Sequence, residues 1–275
     1  DLHLPTFPMF AGEAFNVAAM ERLLLASGDR KILVLNFPNN PTGYTATHAD
    51  AEAIVAALTR AAESGKKVVV ILDDAYFGLV YEPGVSTESL FSRLADLHPN
   101  LLAVKLDGPT KEDYVWGFRT GFMTFGIKGA GAAQYKALEA KAAGAVRGSI
   151  SSASSIAQHL LQKAYALPAY AEQKQTKFAI LQRRYRRIKE ILSSHPEYAE
   201  SFTPMPFNSG YFMCVKPLGA DPEALRKRLL SDKGTGVIVL SGLLRLAFSA
   251  VPYAQLDALF ENLHETIQAL KSGLS

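Results

Sequence analysis

Three short apolar runs, each ending in polar or turn-forming residues, most constrain what this chain can fold into. The runs are Lys31–Phe37, Lys67–Asp73 and Leu101–Leu106, and their length and content of β-branched residues predict buried strands. A helical pattern over residues 46–64 joins the first two and ends at Gly65. Strands that alternate with helices are typical of α/β folds. We therefore predict a mostly parallel sheet with helices on both faces.

The rest of the chain predicts more of this sheet and then a smaller α/β unit. Further elements of the first part are predicted at residues 13–27 (helix), 120–125 (a fourth strand), 129–143, 152–167 and about 170–194 (helices). Those of the second part are predicted at 208–215 (strand), 221–232 (helix), 243–249 (strand) and 253–271 (helix). This order predicts a large domain over 1–169, a connecting helix over 170–196 and a small carboxyl-terminal domain over 197–275.

Composition excludes several classes of protein. The chain has 275 residues of which 48% are hydrophobic, enough for a sizeable core. Its net charge of +3 is too small to indicate a nucleic-acid or membrane partner. The basic run within 170–194 is interpreted as a solvated helix face. The single cysteine, Cys214, and a start without a signal-peptide pattern favour the cytoplasm. No His/Cys cluster has metal-ligand spacing.

Polar side chains follow the ends of consecutive predicted strands. Asn40 follows the first, Asp73 and Tyr76 the second, and Lys111 and Arg119 the third. Ligand sites of open α/β sheets lie at the carboxyl ends of the strands, so one crevice along that edge is expected to collect them. Singly, each has an ordinary structural explanation, such as a turn, a helix cap or a packed aromatic ring. Together they suggest a lysine that bonds an aldehyde cofactor and an arginine that holds its phosphate.

Four motifs give the chain a family resemblance. The chain resembles fold type I, class I/II pyridoxal-phosphate-dependent aminotransferases. Their asparagine-proline-threonine-glycine motif is similar to Asn36–Gly43, and their aspartate-x-alanine-tyrosine motif is similar to Asp73–Tyr76. Their lysine-to-arginine motif is similar to Lys111–Gly121, and their carboxyl-terminal arginine motif is similar to Leu244–Ser249. The resemblance covers nearly the whole chain. It implies the large domain of that fold, binding pyridoxal 5'-phosphate, followed by a smaller α/β domain.

The resemblance also implies roles for the residues around the cofactor ring. Lys111 would hold the cofactor as an imine and then move the substrate α-proton. Asp73 would pair with the protonated pyridine nitrogen, which keeps the ring an effective electron sink. Asn40 and Tyr76 would hydrogen-bond the phenolic oxygen of the ring. Lys111, Asp73 and Tyr76 are thus the implied catalytic residues.

Other implied roles concern the phosphate and the substrate. Arg119, helped by Thr110, would bind the cofactor phosphate. Arg245 would clamp the substrate α-carboxylate, for which a planar two-pronged donor is suited, and Asn40 would lie at the same substrate-binding site. No metal is implied.

The chain departs from the family pattern at several points. Gly108 stands where many relatives place a phosphate-binding serine, and only Ser241-Gly242 stands where relatives carry a longer loop. Lys105 is a second nearby lysine, but its spacing to Arg119 does not fit the motif. The family's amino-terminal portion, which supplies a phosphate-binding turn and a ring-stacking aromatic residue, is absent. A polypeptide of only these 275 residues is therefore expected to bind the cofactor weakly and to have negligible activity.

The function implied for the parent protein is amino-group transfer between an amino acid and a 2-oxo acid, by a ping-pong mechanism through pyridoxamine phosphate. A cytoplasmic homodimer is expected. Lyases, decarboxylases and synthases use the same cofactor residues and remain alternatives. Two further alternatives are a non-catalytic, cofactor-sensing domain of a transcription regulator and an inactive fragment.

Overall fold

A computed structural model describes residues 5–273, so the first four and last two residues of the predicted domains lie outside the description. The strands are β1 Phe10–Ala11, β2 Ala14–Phe15, β3 Arg30–Asn36, β4 Lys67–Asp73, β5 Leu101–Asp107, β6 Phe122–Gly126, β7 Phe202–Pro204, β8 Met213–Pro217, β9 Ile238–Leu240 and β10 Leu243–Leu246. The α-helices are α1 Val17–Leu25, α2 His48–Glu63, α3 Phe91–Leu94, α4 Pro109–Glu112, α5 Ala132–Ser149, α6 Ser155–Tyr165, α7 Tyr170–Ser194, α8 Pro222–Lys233 and α9 Leu256–Lys271.

The larger sheet has the strand order β3-β4-β5-β6. Its first three strands are parallel and in register, so that Asn36 lies opposite Asp73 and Asp73 lies opposite Leu106. The edge strand β6 is antiparallel to β5 and begins at Phe122, two residues later than predicted. The predicted α/β fold with a mostly parallel sheet is confirmed. The carboxyl ends of three strands consequently meet at one edge.

One face of this sheet is well covered. The side chains of Val68, Val70 and Leu72 alternate along β4 and are buried, because α2 packs against this strand and against α1. A capping box begins α2: the amide of Asp50 donates to the Thr47 hydroxyl, and the amide of Thr47 donates back to the Asp50 carboxylate. Such reciprocal bonds satisfy amides that the first helical turn leaves unpaired.

The other face is covered only in part. Residues of α5, including Ala137 and Leu138, line a depression together with Leu102 of β5. Further across the same face, Ile32 and Val34 of β3 are 73% and 59% exposed. Apolar side chains on a sheet face at this exposure mark a surface that is suited to contact other protein.

The smaller unit is built on an antiparallel sheet with the order β7-β8-β10-β9, flanked by α8 and α9. The strand predicted over 208–215 instead begins at Met213. Gly210 has a φ of +72°, which breaks the extended run, and the amides of Asn208 and Ser209 both donate to the carbonyl of Gly43 rather than to a neighbouring strand. The tertiary contact thus overrides the local strand preference.

The chain divides into two compact units. One contains the residues up to Pro38 together with Thr45–Tyr170, and the other contains Asn39–Tyr44 together with Ala171–Ser275. A six-residue segment from the first part of the sequence therefore belongs to the carboxyl-terminal unit, a grouping that no single boundary along the sequence expresses.

The basic run of α7 is engaged within its own unit. The guanidinium of Arg183 lies 4.0 Å from the ring centroid of Tyr253, and Arg187 forms an ion pair with Asp257. These contacts hold α7 against neighbouring parts of the same unit and give the basic side chains a structural role.

Within residues 5–273, no helix is both long and apolar enough to span a membrane. Over the same range, no group of three or more His, Cys, Asp or Glu side chains is arranged to hold a metal ion.

Candidate active site

The loop between β5 and β6 leaves and re-enters the sheet at the same point. Asp107 is the last residue of β5 and pairs with Phe122, the first residue of β6. The intervening segment begins with the single helical turn of α4, which carries Lys111, and returns through Arg119. Because the two strands are antiparallel neighbours, the spacing of Lys111 and Arg119 places both at the carboxyl edge of the sheet.

Close packing explains why a glycine stands at position 108. A Cβ atom added there would lie 2.8 Å from the carbonyl oxygen of Thr120 and 3.0 Å from the Cα of Gly121. Both are backbone atoms of the loop segment that leads into β6, and moving them would require the loop to shift. A serine at this point would not fit without displacing the loop.

One open pocket collects most of the residues singled out in the sequence. Asp73, Thr110, Lys111 and Arg119 all line it, and its volume is about 540 Å³. This volume lies within the range of about 300–1,000 Å³ that small-molecule sites occupy. The pocket lies outside the carboxyl ends of the parallel strands, where open α/β sheets bind ligands.

Lys111 has the electrostatic setting of a reactive amine. Partial burial, and secondarily the positive charge of Arg119, lower the pKa of Lys111 below its ordinary value. Its ammonium nitrogen lies 5.6 Å from the ring centroid of Tyr76, whose ring is buried. A lowered pKa increases the fraction of neutral amine, which is the form that attacks a carbonyl carbon.

Lys105, the second lysine of this region, is held elsewhere. It forms an ion pair with Asp107, and its ammonium lies 5.1 Å from the ring centroid of Phe77. Lys105 does not line the pocket that contains Lys111. Its geometry therefore agrees with the motif spacing in favouring Lys111 as the reactive lysine.

Asp73 is positioned by its neighbours at the end of β4. The side-chain amide of Asn36, on the adjacent strand, donates to the backbone carbonyl of Asp73 at 3.0 Å. The Asp73 carboxylate accepts the amide of Ala75 at 3.3 Å through Oδ1. A carboxylate has about four acceptor sites, so this capping bond is compatible with a second partner in the pocket.

Arg119 has a backbone conformation that is rare for its residue type. Its φ is +53°, in the left-handed region that a non-glycine residue seldom adopts. Its guanidinium is exposed and donates to the carbonyl of Trp116 at 3.3 Å. Strained conformations of this kind cluster at ligand-binding sites, where the surrounding structure maintains them.

Asn40 lies in the smaller unit, within a tight turn that Asn39 and Gly43 stabilise. Asn39 accepts the amide and hydroxyl of Thr42 at 3.1 and 2.7 Å. Gly43 has a φ of +75°, and a Cβ atom on it would lie 1.9 Å from the carbonyl oxygen of Phe212. Only glycine fits at this point, which accounts for the last residue of the asparagine-proline-threonine-glycine motif.

Arg245 and Asn40 contact each other directly. The Nη1 atom of Arg245 donates to Oδ1 of Asn40 at 2.9 Å, and the guanidinium lies 4.3 Å from the ring centroid of Phe212. On the neighbouring strand, burial raises the pKa of Cys214 to about 11, although Arg245 partly opposes the shift. The hydrogen bond and the aromatic face pre-orient a planar donor that is suited to a carboxylate.

The short connection before Arg245 is a two-residue hairpin. Ser241 and Gly242 have φ values of +49° and +81° and join β9 to β10. Positive φ at both central residues is the geometry of a type I′ turn, which matches the twist of antiparallel strands. This turn pairs β10 with β9, a strand that the sequence pattern did not predict. It also explains how two residues can stand where relatives carry a longer loop.

Asp74, next to Asp73, lies in a small cavity of its own. It is 5% exposed, and its Oδ2 atom has no hydrogen-bond partner within the described structure. The cavity, which Ser89 and Thr45 also line, has a volume of about 20 Å³, the space of roughly one water molecule. Burial raises the pKa of Asp74 to about 6, although a hydrogen bond from Ser89 lowers it in part.

This raised pKa predicts a pH-dependent stability. The folded protein binds the Asp74 proton more tightly than the unfolded chain, so the stabilisation is complete below about pH 4 and is lost as the pH rises to about 6. The contribution of Asp74 to the free energy of unfolding is expected to fall by about 2–3 kcal/mol over this pH range. Asp74→Asn should remove this contribution, because an amide does not titrate.

Urea unfolding of both proteins at several pH values between about 4 and 8 tests this expectation. The stability curves of the native protein and Asp74→Asn should diverge over that interval, whereas Asp29→Asn, at an exposed position, serves as the control. Parallel curves for the native protein and Asp74→Asn would show that Asp74 ionises without cost.

Several residues that shape the site were missed in the sequence. Asn36 is adjacent to a recognised motif, but its bond to Asp73 depends on strand register. Asp113, two residues after Lys111, accepts hydrogen bonds from two tyrosines that are 52 and 57 residues away. No local pattern signals contacts of this kind.

A lysine of lowered pKa, a carboxylate and an arginine thus line one pocket at the carboxyl edge of an α/β sheet, which is the edge where such sheets bind ligands. The chain belongs to the aminotransferase class I and II family, whose model matches residues 6–263. The expected family membership is thereby confirmed. A comparison with curated proteins gives no significant match.

Solved structures of aminotransferases have the same fold. An aminotransferase from Anaerococcus prevotii superposes with a TM-score of 0.78 at 22% identity, over 94% of this chain and 62% of that one. An aromatic amino acid aminotransferase from Burkholderia cenocepacia gives 0.70 at 17% identity, over 94% and 61% of the two chains. Aspartate aminotransferase from Thermotoga maritima gives 0.68 at 19% identity, over 90% and 60%. The present chain therefore spans about three fifths of the length of these structures.

Proposed function

We propose that the parent protein transfers an amino group between an amino acid and a 2-oxo acid, with pyridoxal phosphate as cofactor and by a ping-pong mechanism, and that a polypeptide of only these 275 residues has negligible activity. The activity assays described below are made with the parent protein. The observation that carries this proposal is the pocket in which Asp73, Lys111 and Arg119 lie together. Family membership supports the reaction class, and the lowered pKa of Lys111 supports its role as the reactive amine.

The donor set of the pocket fits the proposed cofactor. When bound, pyridoxal phosphate supplies an aldehyde for covalent attachment and a pyridine ring that accepts electrons. Lys111 provides the amine for the aldehyde, and Arg119 with Thr110 provides donors for the phosphate. With the cofactor bound, the Asp73 carboxylate would favour a protonated pyridine nitrogen, because an adjacent negative charge favours the protonated form.

The chain's own groups account for the proton movements. The Nζ atom of Lys111 removes the proton from the substrate α-carbon and returns it as a general acid. Neutral amine is required for the first step, and burial and Arg119 favour it. We assign the hydroxyl of Tyr76 to a hydrogen bond with the phenolic oxygen of the ring, and the side-chain amide of Asn40 to the same function.

Arg245 is assigned to the substrate α-carboxylate, with Asn40 beside it at 2.9 Å. Arg245→Lys replaces a two-pronged planar donor by a point charge. We expect kcat/KM for every amino-acid substrate to fall by about 10- to 100-fold, the loss of a hydrogen bond between charged groups. Affinity for the cofactor should be nearly unchanged.

Steady-state kinetics with amino acids and with matched amines that lack the carboxylate check this expectation. Arg226→Lys is the control, since Arg226 forms a partly buried ion pair with Glu223 on α8 of the same unit. Equal losses for the amines and the amino acids would exclude carboxylate recognition by Arg245.

We also propose that the active protein is a cytoplasmic homodimer. Among the described residues, a set of apolar side chains on the larger unit is 41–66% exposed: Trp116, Phe122, Met123, Val146 and Ile150. Exposed apolar groups in this number are typical of surfaces that associate. Light scattering of the purified protein checks the stoichiometry, and a monomer at micromolar concentration would contradict it.

The test of the function is an assay of amino donors against 2-oxo acids, with release of ammonia, pyruvate and carbon dioxide followed in parallel. Formation of the new amino acid in equal amount to the 2-oxo product supports transfer. Release of ammonia or carbon dioxide without a new amino acid would instead show a lyase or a decarboxylase. Cofactor binding without turnover of any donor would contradict an enzymatic role.

A further inference from the structure

Two tyrosines hold the carboxylate of Asp113 from outside the active-site loop. The hydroxyl of Tyr165, at the end of α6, donates to Oδ2 at 2.8 Å. The hydroxyl of Tyr170, at the start of α7, donates to Oδ1 at 2.5 Å. The two rings meet edge to face with their centroids 5.1 Å apart. Both carboxylate oxygens are therefore engaged by donors from a neighbouring helical corner, and we call this arrangement the Asp113 clamp.

The hydroxyl of Tyr165 keeps its proton in this setting. Burial and the adjacent carboxylate raise the pKa of Tyr165 well above its ordinary value, so its hydroxyl stays a donor under physiological conditions. Hydrogen bonds to an ionised acceptor are shorter and about twice as strong as bonds between neutral groups. The hydrogen bonds to the Asp113 carboxylate are therefore expected to be strong although the site is partly exposed.

The segment that the clamp holds contains two residues in strained backbone conformations. Tyr114 has a φ of +61° and Arg119 a φ of +53°, and residues in such conformations persist only where their surroundings over-determine them. Local backbone bonds include the amide of Asp113 donating to the carbonyl of Pro109 at 2.9 Å and the amide of Phe118 donating to the carbonyl of Val115 at 3.0 Å. Asp113 directly precedes Tyr114, so an anchor there holds the beginning of this strained stretch.

We propose that Asp113, held by the hydroxyls of Tyr165 and Tyr170, is a positioning residue that fixes segment 109–119 and thereby the side chains of Lys111 and Arg119. The clamp also directs a carboxylate two residues from Lys111 toward the tyrosines. A carboxylate that paired with Lys111 would favour its charged form and reduce its reactivity as an amine. The importance of Asp113 for catalysis rests on the proposed function. Its effect on the position of segment 109–119 can be measured in the protein without cofactor.

The test uses the double variant Tyr165→Phe/Tyr170→Phe, free of cofactor. Hydrogen exchange should become at least about tenfold faster for the amides of Asp113, Tyr114 and Phe118, the loss of one or more hydrogen bonds to a charged group. The pH profile for labelling of Lys111 by cyanate should move upward, because Lys111 becomes better hydrated and Asp113 is released. Each single variant should give a smaller change in both measurements.

Tyr135→Phe is the matched control, since the hydroxyl of Tyr135 contacts the backbone of Ile127 in the same unit, outside the loop. It should leave both measurements at segment 109–119 unchanged. The proposal is overturned if amide exchange in the double variant becomes faster uniformly across the unit. It is also overturned if neither the amide exchange of segment 109–119 nor the labelling profile of Lys111 changes. Hydrogen exchange and cyanate labelling do not depend on turnover. A failed transamination assay would therefore leave the test of the clamp interpretable, and a failed test of the clamp would leave the proposed function standing.

Discussion

Lys111→Ala is expected to lower turnover by at least about 10⁴-fold, because it removes the amine that bonds the cofactor and the base that moves the α-proton. The protein should still fold, since Lys111 is only partly buried on a one-turn helix. In the native protein loaded with pyridoxal phosphate, borohydride should fix the cofactor on Lys111. Mass spectrometry of the digested protein identifies the labelled peptide.

Lys105→Arg is the appropriate control for this experiment. The arginine retains a cation beside Asp107 but cannot form the covalent link. This variant should therefore keep the label on Lys111 and most of the activity. A label on Lys105 in the native protein, or normal labelling of the Lys111→Ala variant, would refute the assignment of Lys111.

Asp73→Asn is expected to lower turnover by at least about 100-fold, which is the scale of removing one pre-organised electrostatic partner from an active site. The amide cannot stabilise a positive charge on the pyridine nitrogen, so the ring accepts electrons poorly. Covalent attachment of the cofactor to Lys111 should persist, because that bond does not involve Asp73. Absorbance of the loaded protein and single-turnover kinetics separate the two effects.

The neighbouring variant Asp74→Asn supplies a matched control of equal chemistry. Asp74 lies in a separate cavity and should retain near-normal turnover when changed to asparagine. If Asp73→Asn also retained near-normal turnover, the only function of Asp73 would be its bond to the amide of Ala75. The pyridine nitrogen would then have to be held by another group.

Much of the larger unit is encoded locally and could be predicted. The strand Lys67–Asp73 is predicted at the bounds that the structure has, because a continuous run of valine, isoleucine and leucine is typical of a strand in a parallel sheet. The position of Lys111 past a strand end and its distance from Arg119 along the chain were likewise readable, since the break at Gly108-Pro109 is a local signal.

Other features of the site depend on contacts between residues that are distant in sequence. Segment Asn39–Tyr44 belongs to the unit of Arg245, although it lies in the first part of the sequence. Within this segment, Gly43 makes bonds with Asn208 and Ser209, about 165 residues away. Periodicity reports only which face of an element is apolar, and it carries no information on which distant backbone will accept a hydrogen bond.

The sequence by itself determined the α/β class, the order of the strands' polar ends and the residue types able to bind an anionic aldehyde cofactor. The tertiary structure alone decided the antiparallel return of β6, the close approach that requires glycine at position 108 and the attachment of Asp113 to two tyrosines. The physical reason is range: strand and turn preferences arise within a few residues, whereas the orientation of a loop is set by whichever side chains the completed fold brings against it.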